Sequence, residues 1–353
     1  MLDWIVATPA AVRATWRGAA EDPRWPLTQW PPGIVLAGVG GSGMAGRAAE
    51  ALLCDLAPVP VVWMRGLELP AWLSSGGLLV ICSYSGETWE ALQVAEEARA
   101  RGIPWCAVAA GGPLTERAVA EGAPSIRLEP GRAPRAMTAA AVAALLALGA
   151  RLLPQLDAAI AESVQGMEQD LAEWDLVRAA PGPAEAWEEA GAWPQLPRNP
   201  RRLSALLAKR LPIFYGWGSA GEAVALRWAA QLAENAKTAA HAHRLPEALH
   251  NEIVAWASWS AVNPRPFIVR LATGVSSGKH DAAVQAWWKR VADEMARAGL
   301  EGGLLPAPAG ERVAVLLRQF LLADAASVLL ALRRGEAVTP VRPIERLKGA
   351  APE

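Results

Sequence analysis

From Gly33 to about Gly131 the chain alternates short, β-branched apolar runs with longer stretches of helical periodicity, the rhythm of a parallel α/β sheet. Ile34–Val39, Val59–Met64, Leu78–Cys82, Pro104–Ala109 and Ser125–Leu128 read as strands. Met44–Leu56, Thr88–Arg101 and Leu114–Glu121 read as the helices between them, each after a Gly or Ser/Thr start signal. The most apolar window, Ala136–Ala150, falls short of the roughly 18 to 20 residues a membrane span needs and reads as a buried helix. Pro181–Pro200, rich in proline and tryptophan, reads as a linker. A second series then begins with strand Leu211–Trp217, helix Gly221–Asn235 and strand Pro266–Ala272, followed by helices Lys279–Ala298 and Arg312–Arg334. The expected organisation is an N-terminal α/β region over 1–152, a helical and linker segment over 153–205 and a C-terminal α/β region over 206–353 with a terminal tail. Residues 38–46 and 215–223 share an apolar strand, a Gly-x-Gly turn or near relative and a helix, which suggests a repeated unit.

Composition narrows the chemistry. Hydrophobic residues make up 52% and charged residues 20% of the 353 positions, enough for a sizeable core and against global disorder. The 34 basic and 35 acidic side chains nearly cancel, which removes the overall positive field that non-specific nucleic-acid binding requires. Only five of the basic residues are lysines, the first at Lys209, and all four histidines lie between His241 and His280. Acid–base groups other than carboxylates therefore crowd into the second half. Cys54, Cys82 and Cys106 form neither a disulfide framework nor a metal spacing, which suits a reducing, cytoplasmic setting. Asp3 precedes the first short apolar run without a basic region, unlike a secretory signal.

Two glycine- or hydroxyl-rich turns follow strands. Gly38-Val39-Gly40-Gly41-Ser42-Gly43 satisfies Gly-x-Gly-x-x-Gly, so a dinucleotide site has to be weighed. The second strand, however, ends Trp63-Met64-Arg65-Gly66 without the carboxylate that would hold a ribose, although Arg65 suits a 2′-phosphate. The third strand runs into Ser83-Tyr84-Ser85-Gly86-Glu87-Thr88 and a helix. Three hydroxyls with backbone N–H groups at a helix start suit a phosphate monoester, and Ser42 can converge on the same edge of the sheet. Helix capping is the alternative for any one of them. Further on, Gln231, Glu234, Asn235 and Thr238 fall on one helical stripe that can face a site or solvent. His241, His243, Glu247 and His250 allow a metal cluster to be imagined, which the chemistry below does not need.

With these loops, Gly131-Arg132-Ala133-Pro134-Arg135, Gln231 through Lys237, Leu245-Pro246-Glu247, His250-Asn251-Glu252 and Ile344 through Lys348 occur in an order that resembles one family. The loops look like those of the sugar isomerase (SIS) fold, and the remaining motifs look like bifunctional phosphoglucose/phosphomannose isomerases. The resemblance implies an α/β fold of two flavodoxin-like SIS subdomains, each a parallel sheet flanked by helices. It implies isomerisation of glucose 6-phosphate, and of mannose 6-phosphate, to fructose 6-phosphate in central carbohydrate metabolism, with no cofactor and no metal.

The implied roles are a phosphate site from Gly41, Ser42, Ser83, Ser85 and Thr88, with Glu234 as the base between C2 and C1. His250 assists ring opening with Lys348 nearby, and Arg135 stabilises the enediolate. In similar enzymes the histidine comes from the partner of a homodimer, so a homodimer is expected, with no membrane or nucleic-acid partner. Two residues depart from the family pattern: Glu87 replaces an asparagine in the serine loop, and Leu249 replaces an asparagine before His-Asn-Glu. A non-catalytic phosphosugar regulator and an amino-sugar-phosphate isomerase or deaminase would share the loops.

Overall fold

The computed structural model describes residues 1–64, 66–176, 193–252, 254, 266–273 and 281–348. Contacts divide the chain into one unit of Asp3–Gln165 with Val341–Glu353, and another of Met1–Leu2 with Gly166–Pro340. This division runs differently from the sequence boundaries, for a local reason. It falls inside one unbroken helix, α7 (Gln155–Trp174), which carries Asp157 in the first unit and Asp170 in the second. Periodicity sees a continuous helix and cannot mark where its partners change.

In the N-terminal unit, helices α1 (Leu2–Val6) and α2 (Thr8–Glu21) precede strand β1 (Ile34–Ala37). There follow α3 (Gly40–Leu53), β2 (Val61–Trp63), β3 (Leu78–Cys82), α4 (Trp89–Ala100), β4 (Trp105–Ala109), α5 (Gly112–Ala120) and β5 (Ser125–Arg127). All pairings are parallel, in the order β2-β1-β3-β4-β5. The continuous apolar runs of β1 and β4 are buried at every position, as strands covered on both faces require. The apolar window forms α6 (Thr138–Leu146), buried throughout and packed on α2 and α3.

The C-terminal unit contains α8 (Pro200–Leu207), β6 (Leu211–Trp217), α9 (Gly218–Ala236), β7 (His241–Leu245), β8 (Pro266–Leu271), α10 (Asp281–Arg297), β9 (Glu301–Leu305) and α11 (Arg312–Arg334). Its sheet is also parallel, in the order β7-β6-β8-β9. The final helix, α12 (Arg342–Lys348), belongs to the N-terminal unit. Helix α11 is long and apolar enough to cross a membrane, yet 94% of its most apolar window is buried, which makes it a core helix of its unit.

Among the elements that went unread in the sequence, three have an identifiable cause. Strand β7 is Ala-His-Ala-His in part, a period-two pattern whose histidines drew attention to metal chemistry instead. Strand β9 contains Gly302 and Gly303, residues depleted in strands. A Cβ at Gly302 would lie 2.2 Å from the Ile268 carbonyl oxygen and 2.3 Å from the Trp193 ring, so only glycine allows that approach. The end of the expected linker also pairs with β9: Leu196 N–H donates to Leu304 O at 2.8 Å, and Leu304 N–H to Pro194 O at 3.0 Å. The third element is α8, started by Asn199, whose side chain accepts from the Arg201 and Arg202 N–H groups. The rest of the linker up to residue 192, Arg65, His280 and residues 253 and 255–265 lie outside the described residues.

Candidate active site

In the N-terminal unit the strand order reverses at β1 and β3, because β2 lies on one side of β1 while β3 and the later strands lie on the other. Ligands of open α/β sheets bind beyond the carboxyl ends of strands at such a point. The turns after these two strands are the glycine loop and the serine loop. Gly38 and Gly43 press backbone to backbone: a Cβ on Gly43 would stand 2.7 Å from Gly38 O, and one on Gly38 would stand 2.8 Å from Cys82 O. Gly40 then turns the chain with φ +56° into α3.

The hydroxyls are arranged within this frame. Ser42 is buried, and its Oγ accepts the Tyr84 N–H at 3.1 Å, which ties the glycine loop to the serine loop. Ser83 Oγ and Thr88 Oγ1 are 3.0 Å apart, and the Glu87 N–H donates to Ser85 Oγ at 3.2 Å. Neither α3 nor α4 has a side-chain cap hydrogen bond, so capping does not account for these residues. Two uncapped helix starts and a group of hydroxyls form a cradle in which N–H and O–H donors suit a phosphate monoester. Gly86 (φ +69°) closes the serine loop where a Cβ would meet Gly111 O at 1.9 Å. Glu87 is exposed beside the cradle. Below it, burial pushes the Cys82 thiol up to about 12, while a hydrogen bond with Ser42 acts in the opposite direction.

Arg135 lies 4% exposed on a single 3-10 turn, Pro134–Met137. Its backbone is packed against the start of α3, since a Cβ on Gly41 would come within 3.2 Å of Arg135 N. Tyr84 secures the approach to this turn: its hydroxyl donates to Glu129 O and accepts the Arg132 N–H, both at 2.9 Å. The unit thus gathers Gly41, Ser42, Ser83, Ser85, Thr88 and Arg135 around one edge of its sheet. Lys348 ends α12, whose residues cluster with this same unit, and its side chain lies outside the described atoms.

In the C-terminal unit the expected polar stripe divides. Gln231 Nε2 donates to Asp324 Oδ1 at 2.8 Å, Asn235 Nδ2 donates to Ser327 Oγ at 2.9 Å, and both asparagine and glutamine are buried against α11. Thr238 turns its hydroxyl to Ala236 O. The amides therefore hold a helix pair together, and Glu234 alone of the four is half-buried at the flank. Sequence spacing could not separate these roles because the partner residues lie more than ninety positions away.

His250 is exposed at the end of a 3-10 turn, Glu247–His250. Its neighbour Leu249 packs on the apolar cluster that includes Ile213, Tyr215, Leu245 and Ala248. The departure from asparagine thus places a leucine where the core accepts one. His243 Nδ1 lies 3.0 Å from Glu252 Oε2, bringing the end of the His-Asn-Glu segment against β7. Among the described residues, no group of three or more His, Cys, Asp and Glu can hold a metal ion.

These features define the class: parallel α/β units, the first with a hydroxyl-lined cradle suited to a phosphate monoester at its strand-order reversal. A solved structure, the C-terminal domain of glucosamine-fructose-6-phosphate aminotransferase from Francisella tularensis, shares this fold with a TM-score of 0.68. It covers 96% of this chain and 97% of that one at 17% identity. Residues 198–350 match the bacterial phospho-glucose isomerase C-terminal SIS domain. Among sequence relatives, the bifunctional phosphoglucose/phosphomannose isomerase of Caldicellulosiruptor bescii is 34% identical over 63% of this chain and 61% of its own length. The protein of the same name from Aquifex aeolicus is 28% identical over 94% of this chain and 93% of its own. The chain is similar to bifunctional phosphoglucose/phosphomannose isomerases, and its C-terminal part to the bacterial phospho-glucose isomerase SIS domain.

Proposed function

We propose that this protein interconverts glucose 6-phosphate and mannose 6-phosphate with fructose 6-phosphate through an enediolate. The hydroxyl cradle at the β1/β3 reversal carries the proposal, and the likeness to bifunctional phosphoglucose/phosphomannose isomerases narrows the sugar. Ser42, Ser83, Ser85 and Thr88 bind the phosphate together with the backbone at Gly41 and the starts of α3 and α4. Glu234 moves the proton between C2 and C1, and the sugar rotates about C2–C3 so that this one base meets either aldose. His250 and Lys348 serve ring opening, and Arg135 lies opposite the negative charge that develops on the enediolate.

The exposure of His250 on its own unit supports its delivery to the active site of a second copy, in a homodimer. The reaction calls for no cofactor or metal, and its place is the cytoplasm, in the interconversion steps of glycolysis and gluconeogenesis. A coupled assay with both aldose phosphates tests the reaction. The expected result is turnover of each, with Glu234→Gln reduced roughly 10²- to 10⁴-fold. Turnover of glucosamine 6-phosphate alone, or fructose 6-phosphate binding without proton exchange at C1 or C2, would replace this reading.

A further inference from the structure

Glu234 sits in the last turn of α9, two residues before the helix ends at Ala236. End turns fray, because their carbonyls lack intrahelical partners. A base that must reach two carbons requires tighter placement, and an error of about 1 Å in such a group can cost roughly 10²-fold in rate. Two features hold this turn. Lys237 adopts φ +52° just past the helix, and its Nζ donates to Glu234 O at 2.7 Å. The second feature is longer and buried.

Arg227, Gln231 and Asn235 recur every four residues along one edge of α9, each no more than 2% exposed. Arg227 grips Asp324 of α11 with two hydrogen bonds, Nε to Oδ1 at 2.9 Å and Nη2 to Oδ2 at 2.7 Å. Gln231 joins the same carboxylate at 2.8 Å, and Asn235 closes the row on Ser327 Oγ at 2.9 Å. Ser327 Oγ also donates to Asp324 O at 2.9 Å, so the two α11 residues act as one fixture. The surrounding faces are otherwise apolar, with Val224, Trp228 and Leu232 on α9 and Phe320, Leu321 and Val328 on α11 all buried. Apolar ridges alone permit several helix settings, whereas directional bonds permit one.

A buried ion pair adds little net stability relative to well-packed apolar residues. Its use here therefore points to geometry. We propose that Asp324 and Ser327 are positioning residues for Glu234: by fixing the rotation and end of α9, they set where its carboxylate stands. This rests on Glu234 being the base.

The test compares three variants of the full chain: Glu234→Gln, the apolar triple Arg227→Met/Gln231→Met/Asp324→Leu, and Ser327→Ala. The triple is expected to melt at or above the wild-type temperature. Its kcat on glucose 6-phosphate falls roughly 10- to 100-fold with KM within about threefold, while amide exchange at residues 235–238 quickens and that in α11 does not. A folded triple with kcat within about twofold of wild type and unchanged exchange, beside an inactive Glu234→Gln, overturns the positioning role and leaves the base assignment standing. An active Glu234→Gln overturns both. If the triple does not fold, Ser327→Ala decides: a drop in kcat above about fivefold at unchanged KM supports the role, and unchanged kcat refutes it.

Discussion

The glycine turns of the two units share a backbone and differ in chemistry. Gly216 and Gly221 press together as Gly38 and Gly43 do, with a Cβ on Gly216 placed 1.9 Å from Gly221 O. Gly218 turns with φ +63° where Gly40 has +56°. Matching these glycines pairs Ser42 with Ala220. The strand registers, Ala37 with Ile81 and Tyr215 with Arg270, then pair Ser83 with Ala272 and Cys82 with Leu271. The C-terminal turn keeps the shape that lets a strand enter a helix closely, and lacks both buried hydroxyls. Loop geometry is thus a property of the repeated unit, and the hydroxyls proposed to bind phosphate are added to one copy by side chains.

The largest expected effect tests the shared geometry. Gly216→Ala forces two backbones apart and should destabilise the fold by about 4 kcal/mol or more, read by chemical denaturation. Gly38→Ala, 2.8 Å from Cys82 O, should also destabilise, by less. Equal stability of Gly216→Ala and wild type would mean that the two turns do not share the constraint.

A smaller effect tests the difference. Ser42→Ala or Ser83→Ala should raise KM for glucose 6-phosphate roughly 10- to 100-fold, since a hydrogen bond to a charged group is worth about 1.5–3 kcal/mol. Ser219→Ala, at the opening of the C-terminal turn, should leave KM within about twofold, inside the usual ±0.5 kcal/mol of a peripheral change. Similar effects from Ser42→Ala and Ser219→Ala would remove the contrast between the turns.

The smallest effect concerns the thiol beneath the cradle, which has no counterpart at Leu271. Burial raises Cys82 from 9.0 to about 12 and also raises Cys106. Above pH 9 the unfolded chain releases these protons while the native protein retains them, so the unfolded state binds fewer protons and stability falls as pH rises. The loss should be about 1 kcal/mol per pH unit for each thiol. Replacing Cys82 with alanine should remove its share of that slope between pH 9 and 11, measured against wild type by denaturation. An unchanged slope would place the Cys82 thiol in contact with solvent.

The sequence was most legible where local pattern and tertiary role agree. Strands β3 and β6 and helix α11 have the expected bounds, because each is a buried run bordered by turn signals. The cradle was legible from Gly38–Gly43 and Ser83–Thr88 because two short motifs carry nearly all of its donors. The surroundings of Glu234 were less so: a helical stripe looks the same whether it meets a ligand, solvent or another helix, and only the distant Asp324 and Ser327 distinguish the cases. Arg227 likewise gave no local sign of an ion pair with Asp324. Strand β9 was hidden by glycines chosen for close approach rather than strand preference.

The return of Val341–Glu353 to the N-terminal unit bears on biosynthesis. The chain enters that unit at Asp3, leaves it after Gln165 and supplies its remaining segment after Pro340. Domains generally fold as units while the chain emerges. The C-terminal sheet, whose last strand ends at Leu305, can therefore close on its own residues before the N-terminal unit has received its final helix.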